Sequence, residues 1–160
     1  MNVRLAVDAD AEGIAALVNR AFTVERFFKV GDRTSPHEIA SLLREGDFLV
    51  AESDGSPAGS VFMRAMPPVG YFGMLSIDPA MQGRGLGRQL IAAAEAYLRE
   101  RGCREVQIHI VNLREELPPF YRRLGYEEAG QLPFPTSELS TRACHMIVMR
   151  KDLVTAPESA

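Results

Sequence analysis

The segment Ser76-Ile77-Asp78-Pro79-Ala80-Met81-Gln82-Gly83-Arg84-Gly85-Leu86-Gly87-Arg88 holds the most chemistry in this chain. It reads as the end of a strand, a glycine-rich turn and the first turn of a helix. A helix start leaves backbone N–H groups unpaired, and the helix dipole adds partial positive charge at the same place. That combination binds phosphate. Gly83, Gly85 and Gly87 permit left-handed turns and let a ligand come close to the backbone. Arg84 and Arg88 add charge that can pair with phosphate oxygens. The plain alternative is a flexible αβ connection. Three glycines at alternate positions, followed at once by a good helix, weigh against it.

What the loop lacks narrows the ligand. A P-loop needs Lys and then Ser or Thr after its last glycine, and this loop has Gly87-Arg88-Gln89. A dinucleotide fingerprint starting at Gly83 needs Gly or Ala at position 88, which is Arg88. What remains is Gln-x-x-Gly-x-Gly, held by Gln82, Gly85 and Gly87. Upstream stands Gly73-Met74-Leu75-Ser76-Ile77-Asp78-Pro79. Downstream come Val111-Asn112 and then Phe120-Tyr121-Arg122-Arg123-Leu124-Gly125-Tyr126. In order and spacing these segments resemble the GNAT superfamily of N-acetyltransferases. The similar region runs from Phe48 to Tyr126, about half the chain.

The resemblance implies transfer of an acetyl group from acetyl-CoA to a primary amine of a small-molecule or peptide acceptor. It implies direct attack in a ternary complex and no metal. Gln82, Gly83, Arg84, Gly85, Leu86, Gly87 and Arg88 would hold the coenzyme's pyrophosphate. The backbone of Leu75, Ser76 and Ile77 would pair with the pantetheine arm like an added strand, and one of its N–H groups would face the thioester oxygen. Asn112 would bond the same arm, and Tyr121 would meet the sulfur as thiolate stabiliser or general acid.

The residues themselves leave alternatives open. Asn112 suits a turn or cap equally well, and Tyr121 falls on the apolar stripe of its helix. A phenol near pKa 10 and a thiol near 8.5 make full proton transfer uphill by roughly 2 kcal/mol. A hydrogen bond therefore serves as well as transfer. Glu25, His109 and His145 are the base candidates, each with an ordinary structural reading beside it, and a water chain would also serve. Phe22, Phe27, Phe28 and the loop 133–142 are expected to shape the acceptor site. The same fold also admits a non-catalytic acyl-CoA-binding sensor, and many members of the family dimerise.

These residues need a scaffold. The 160 residues, 46% of them apolar, fit one domain over 1–154 with a frayed tail at 155–160. The net charge of −3 is spread along the chain and gives no support for a nucleic-acid partner. Apolar runs are too short for a membrane span, and Met1 to Arg4 carries no signal-peptide pattern. With Cys103 and Cys144 far apart, the composition suits a reduced, cytoplasmic protein.

Periodicity predicts strands over 3–7, 48–52, 59–65, 71–77, 105–111, 126–132 and 143–150. It predicts a helix capped by Asp8 or Asp10, one from a capping box at Ser35 to Arg44, a long one closed by Gly102 and a short one ended by Gly125. The order βααβββαβαββ is an α+β fold, a mixed and mostly antiparallel central sheet flanked by helices, and it matches the GNAT topology. Gly73, inside a strand, predicts a bulge or the close approach of another backbone.

Overall fold

A computed structural model of the chain describes residues 2–29, 31–134 and 141–153. The expected tail at 155–160, the domain limit at 154 and most of the loop 133–142 lie outside the described residues.

The strands are β1 (Asn2–Leu5), β2 (Asp47–Ser53), β3 (Ser56–Met66), β4 (Val69–Ile77), β5 (Glu105–Val111), β6 (Glu127–Pro133) and β7 (His145–Asp152). The helices are α1 (Ala11–Ala21), α2 (Pro36–Leu43), α3 (Leu86–Glu100) and α4 (Leu117–Arg123). Among the described residues the strands form one sheet in the order β1-β2-β3-β4-β5-β7-β6. Every pairing is antiparallel except β4 with β5.

Alternation along the strands separates two cores. Leu49 and Ala51 of β2 face a cluster built with Leu86, Leu90, Ala94 and Leu98 of α3 and with Tyr121 and Tyr126. Phe48 and Val50 face the opposite cluster, with Ile14 and Val18 of α1 and Ile39 of α2. Gly59 sets the depth of α3. A Cβ there would stand 2.9 Å from Leu90 and 3.2 Å from Leu86, so the start of α3 lies directly on β3. Further along α3, the buried Glu95 accepts from the Tyr126 hydroxyl at 2.7 Å and pairs with Lys151 at 3.1 Å, tying that helix to the segment after α4 and to β7.

The structure departs from the sequence reading at several ends. β1 stops at Leu5, because Asp10 bends back: its carboxylate accepts from the Val7 amide at 2.7 Å and pairs with Arg4 at 2.9 Å. Asp10 therefore closes a short 3₁₀ turn and does not cap α1 through its side chain. Ser35 caps α2, accepting from the Glu38 amide at 3.1 Å, but half of the expected capping box is diverted. The Glu38 carboxylate takes the Thr34 hydroxyl at 2.6 Å instead. Strand ends shift by up to three residues, the least determined feature of any periodic pattern, while β5 keeps its expected bounds.

Candidate active site

The parallel pairing of β4 with β5 is short. It runs from Val69 opposite Glu105 to Tyr71 opposite Gln107 and then stops. Beyond it β4 stays on β3 as far as Ile77, while β5 stays on β7 as far as Val111. The two strands part, and among the described residues the edge of β4 from Phe72 onward has no strand partner on the β5 side. Unpaired backbone groups on a strand edge accept an extended ligand as an added strand. Leu75, Ser76 and Ile77 all lie on that edge.

A bulge shapes the same stretch. The register slips between Ser60 and Phe62, so Met74 and Leu75 face Val61 alone, and Met74 takes a left-handed φ of 51°. Extra residues of this kind bend a strand and redirect its groups. Ser76 secures the bend: it is buried, and its hydroxyl donates to the Met74 carbonyl at 3.0 Å. The predicted bulge is thus present one residue past Gly73. Gly73 itself makes room for a side chain, since a Cβ there would stand 2.2 Å from the Tyr71 hydroxyl.

The loop after β4 has the expected turn and helix start, but Gly87 lies inside α3 and takes no left-handed φ. Asp78 accepts from the Ala80 amide at 2.9 Å and from Arg20 of α1 at 3.1 Å. The Ala80 amide, followed by Arg20, holds the Asp78 carboxyl below its usual range. Gly83 and Gly85 adopt φ of 82° and 79°, and a Cβ at either would meet nothing within 4 Å. Their glycines answer to backbone conformation, with open space above them. Gly85 is the N-cap of α3 and supplies no side-chain cap. The Gln89 amide bonds Gly85, which leaves the amides of Leu86, Gly87 and Arg88 without an intrahelical partner. Gln82, Arg84 and Arg88 are exposed around them.

Tyr121 is 6% exposed and packs against Phe120, Phe72 and Tyr126. Its hydroxyl has no hydrogen-bond partner among the described residues. Burial raises its pKa well above the ordinary phenol range, with Arg114 opposing and Tyr71 adding to the rise. The core reading of its ring is correct, and its oxygen remains available. Asn112 is partly committed: its Oδ1 accepts from the His145 amide at 2.9 Å, and its own amide donates to the His145 carbonyl at 2.9 Å. It therefore caps the β5–β7 ladder, with its side-chain NH₂ left to donate.

The base candidates fall in different places. Glu25 is buried and bonded to Arg114 at 3.1 Å, so it is not a solvated loop charge. His109 lies on β5 with its ring 5.0 Å from that of Tyr71; the residue is exposed, and the partial burial of its ring lowers its pKa. His145 contributes its backbone to Asn112. The structure thus brings Tyr71, His109, Arg114, Glu25 and Tyr121 around the parting of β4 and β5. The sequence reading missed Arg114 and Tyr71. Arg114 meets Glu25 across 89 positions, which no local pattern shows. A large side chain two residues before a strand glycine was the one available signal for Tyr71.

Residues 12–126 match a family model described as the acetyltransferase (GNAT) family, and the chain belongs to that family. The match reaches further toward the N-terminus than the motif region at 48–126 and takes in all of α1 but Ala11. A mycothiol acetyltransferase from Cellulomonas flavigena is 36% identical over 90 residues, 49% of this chain and 26% of that protein. The chain spans between 21% and 30% of the length of the curated relatives it matches. The ribosomal-protein-S18-alanine N-acetyltransferase of Escherichia coli superimposes with a TM-score of 0.79 at 18% identity, covering 99% of this chain and 97% of that one. The structure of yncA from Salmonella typhimurium, described with its cofactor acetyl-CoA, superimposes with a TM-score of 0.72 at 22% identity, covering 100% and 99%. Both superpositions show the shared fold.

Among the described residues no group of three or more His, Cys, Asp or Glu side chains could hold a metal ion. No described helix is long and apolar enough to cross a membrane.

Proposed function

We propose that this chain is an acetyltransferase that moves an acetyl group from acetyl-CoA to an amine. One observation carries the reading: β4 and β5 part beyond Tyr71, and the parting faces a glycine-rich loop at the uncapped start of α3. The residues fit the donor. The amides of Leu86, Gly87 and Arg88, with Gly83, Gly85, Arg84 and Gln82, would hold the pyrophosphate. The free edge of β4 at Leu75, Ser76 and Ile77 would hold the pantetheine arm, and the Asn112 side-chain NH₂ would donate to it. Bound there, the donor supplies an activated thioester carbonyl.

The chain's own groups then have definite tasks. A neutral amine nitrogen attacks the carbonyl carbon, and a β4 amide stabilises the negative charge gathering on its oxygen. As the carbon–sulfur bond breaks, the Tyr121 hydroxyl donates a hydrogen bond to the leaving sulfur. Burial raises its pKa, which favours a hydrogen bond to the thiolate over full proton transfer. The proton lost by the amine passes to water, and the His109 ring lies 5.0 Å from that of Tyr71. The sulfur leaves as the thiolate and takes its proton from water, so the products are the acetylated amine and free coenzyme A.

A panel of polyamines, amino acids, aminoglycosides and peptide N-termini, with release of free thiol from acetyl-CoA as the readout, tests the proposal. Amine-dependent release is the expected result. Tight acetyl-CoA binding with no release across the panel would instead make the chain an acyl-CoA-binding sensor.

A further inference from the structure

After α1 the chain folds around a shallow depression lined by Phe22, Glu25, Arg26, Lys29, Gly31 and Arg33. Three of these residues are cationic and one is anionic, and the anion is already engaged by Arg114 at 3.1 Å. Lys29 is only 9% exposed. Neither it, Arg26 nor Arg33 has an ion-pair partner among the described residues. The Arg33 guanidinium lies over the Phe22 ring at 5.3 Å. Glu38, another carboxylate in electrostatic reach of Lys29, is taken by the Thr34 hydroxyl at 2.6 Å. Burial, then the neighbouring Arg33, pushes the Lys29 ammonium below its ordinary range, with Glu25 and Glu38 opposing the shift. A largely buried ammonium beside a guanidinium, with no direct ion pair among the described residues, is an unfavourable arrangement that an incoming anion relieves.

The depression borders the parting of the strands. Arg33 acts electrostatically on Tyr71, whose hydroxyl overlies Gly73. Glu25 reaches Arg114, which precedes the helix bearing Tyr121.

We propose that the depression is an anion subsite for the acceptor: the amine substrate also carries a carboxylate or phosphoryl group, which pairs with Lys29 and Arg33. This rests on the acetyltransferase reading above. Arg33 offers a planar fork and Lys29 a point charge, a pair that suits either oxyanion. An acceptor without the anion leaves the buried Lys29 unpaired, so the site discriminates against neutral analogues of the same shape.

The test compares ω-amino acids of several chain lengths with their carboxamides and with aminoalkylphosphonates. Amine basicity is then nearly constant while the far charge changes. Thiol release from acetyl-CoA gives kcat/KM for each acceptor. The anionic acceptors should exceed their carboxamides by at least about tenfold, and Lys29→Met should reduce that ratio by at least about tenfold, mainly through KM. Arg33→Met, at a more exposed position, should reduce it in the same direction and guards against misfolding of the first variant. Whether carboxylates or phosphonates lead identifies the anion. Carboxamides used as well as the acids, or an unchanged ratio in both variants, would overturn the subsite and leave the acetyltransferase reading standing. A parent chain that neither binds acetyl-CoA nor releases thiol would overturn both.

Discussion

Tyr121→Phe removes one oxygen from a ring that is 6% exposed and keeps the contacts with Phe120, Phe72 and Tyr126, whose centroids lie at 5.1, 6.4 and 5.5 Å. The hydroxyl has no hydrogen-bond partner among the described residues, so no native bond is lost. Stability should therefore change by less than about 1 kcal/mol, and in the stabilising direction if at all, because a partly desolvated hydroxyl disappears. Turnover should behave differently. A hydrogen bond that strengthens as thiolate charge develops is worth roughly 10²-fold, the low end for one donor to developing negative charge. At about 1.36 kcal/mol per decade that is about 2.7 kcal/mol of transition-state stabilisation. Because the bond belongs to the transition state, kcat and kcat/KM should fall together while the acetyl-CoA Kd stays constant. Burial holds the phenol above its ordinary range, so it stays protonated through neutral and mildly alkaline assays, and the pH profiles of variant and parent should run parallel. Steady-state turnover on the best amine, calorimetric titration of acetyl-CoA and a thermal melt give all three quantities. Turnover within about twofold of the parent, in a folded variant, would refute the reasoning and leave Tyr121 as core alone.

Gly85→Ala forces a side chain into φ 79°, so the variant should lose about 1 kcal/mol of stability in denaturant titration. It should also bind acetyl-CoA more weakly by calorimetry, and normal binding would remove the loop from the site. Arg84→Ala and Arg88→Ala should each weaken acetyl-CoA binding by about 0.2–1 kcal/mol and flatten its salt dependence, both read from titrations at several ionic strengths. Arg4 holds Asp10 and Glu52 below their usual range through its hydrogen bonds to both carboxylates. Depressed folded-state values contribute stability above the unfolded carboxylate pKa, about 4, and that contribution is lost as pH falls through the folded values. The melting temperature of Arg4→Met should therefore lie below that of the parent at neutral pH and converge with it in acid.

The two halves of the site differ in how much the sequence disclosed. Gln82, Gly85 and Gly87 are contiguous with the helix they start, so glycine chemistry and helical periodicity reveal them without tertiary information. The element order is legible for the same reason, since each strand and helix carries its own period. The parting of β4 from β5 is not, because it depends on where two strands 36 positions apart stop pairing, Val69 with Glu105 being the first pair. The bulge was signalled by Gly73, yet the left-handed residue is Met74, fixed by the Ser76 hydroxyl and by Tyr71 lying over the glycine. Glu25 looked like a loop charge because its partner, Arg114, comes from the segment after β5. Lys29 and Arg33 carried no pattern in sequence, and only the turn of the chain after α1 sets them side by side.

Amide hydrogen exchange on the full chain, with and without acetyl-CoA, tests the central claim most directly, because it reports the strand edge and the helix start separately. The account predicts new protection at Leu75 to Ile77 and at Leu86 to Arg88 together, and protection confined to the second segment when ATP replaces acetyl-CoA. Binding of acetyl-CoA that protects neither segment, or that protects the loop while the edge of β4 exchanges as before, would contradict it.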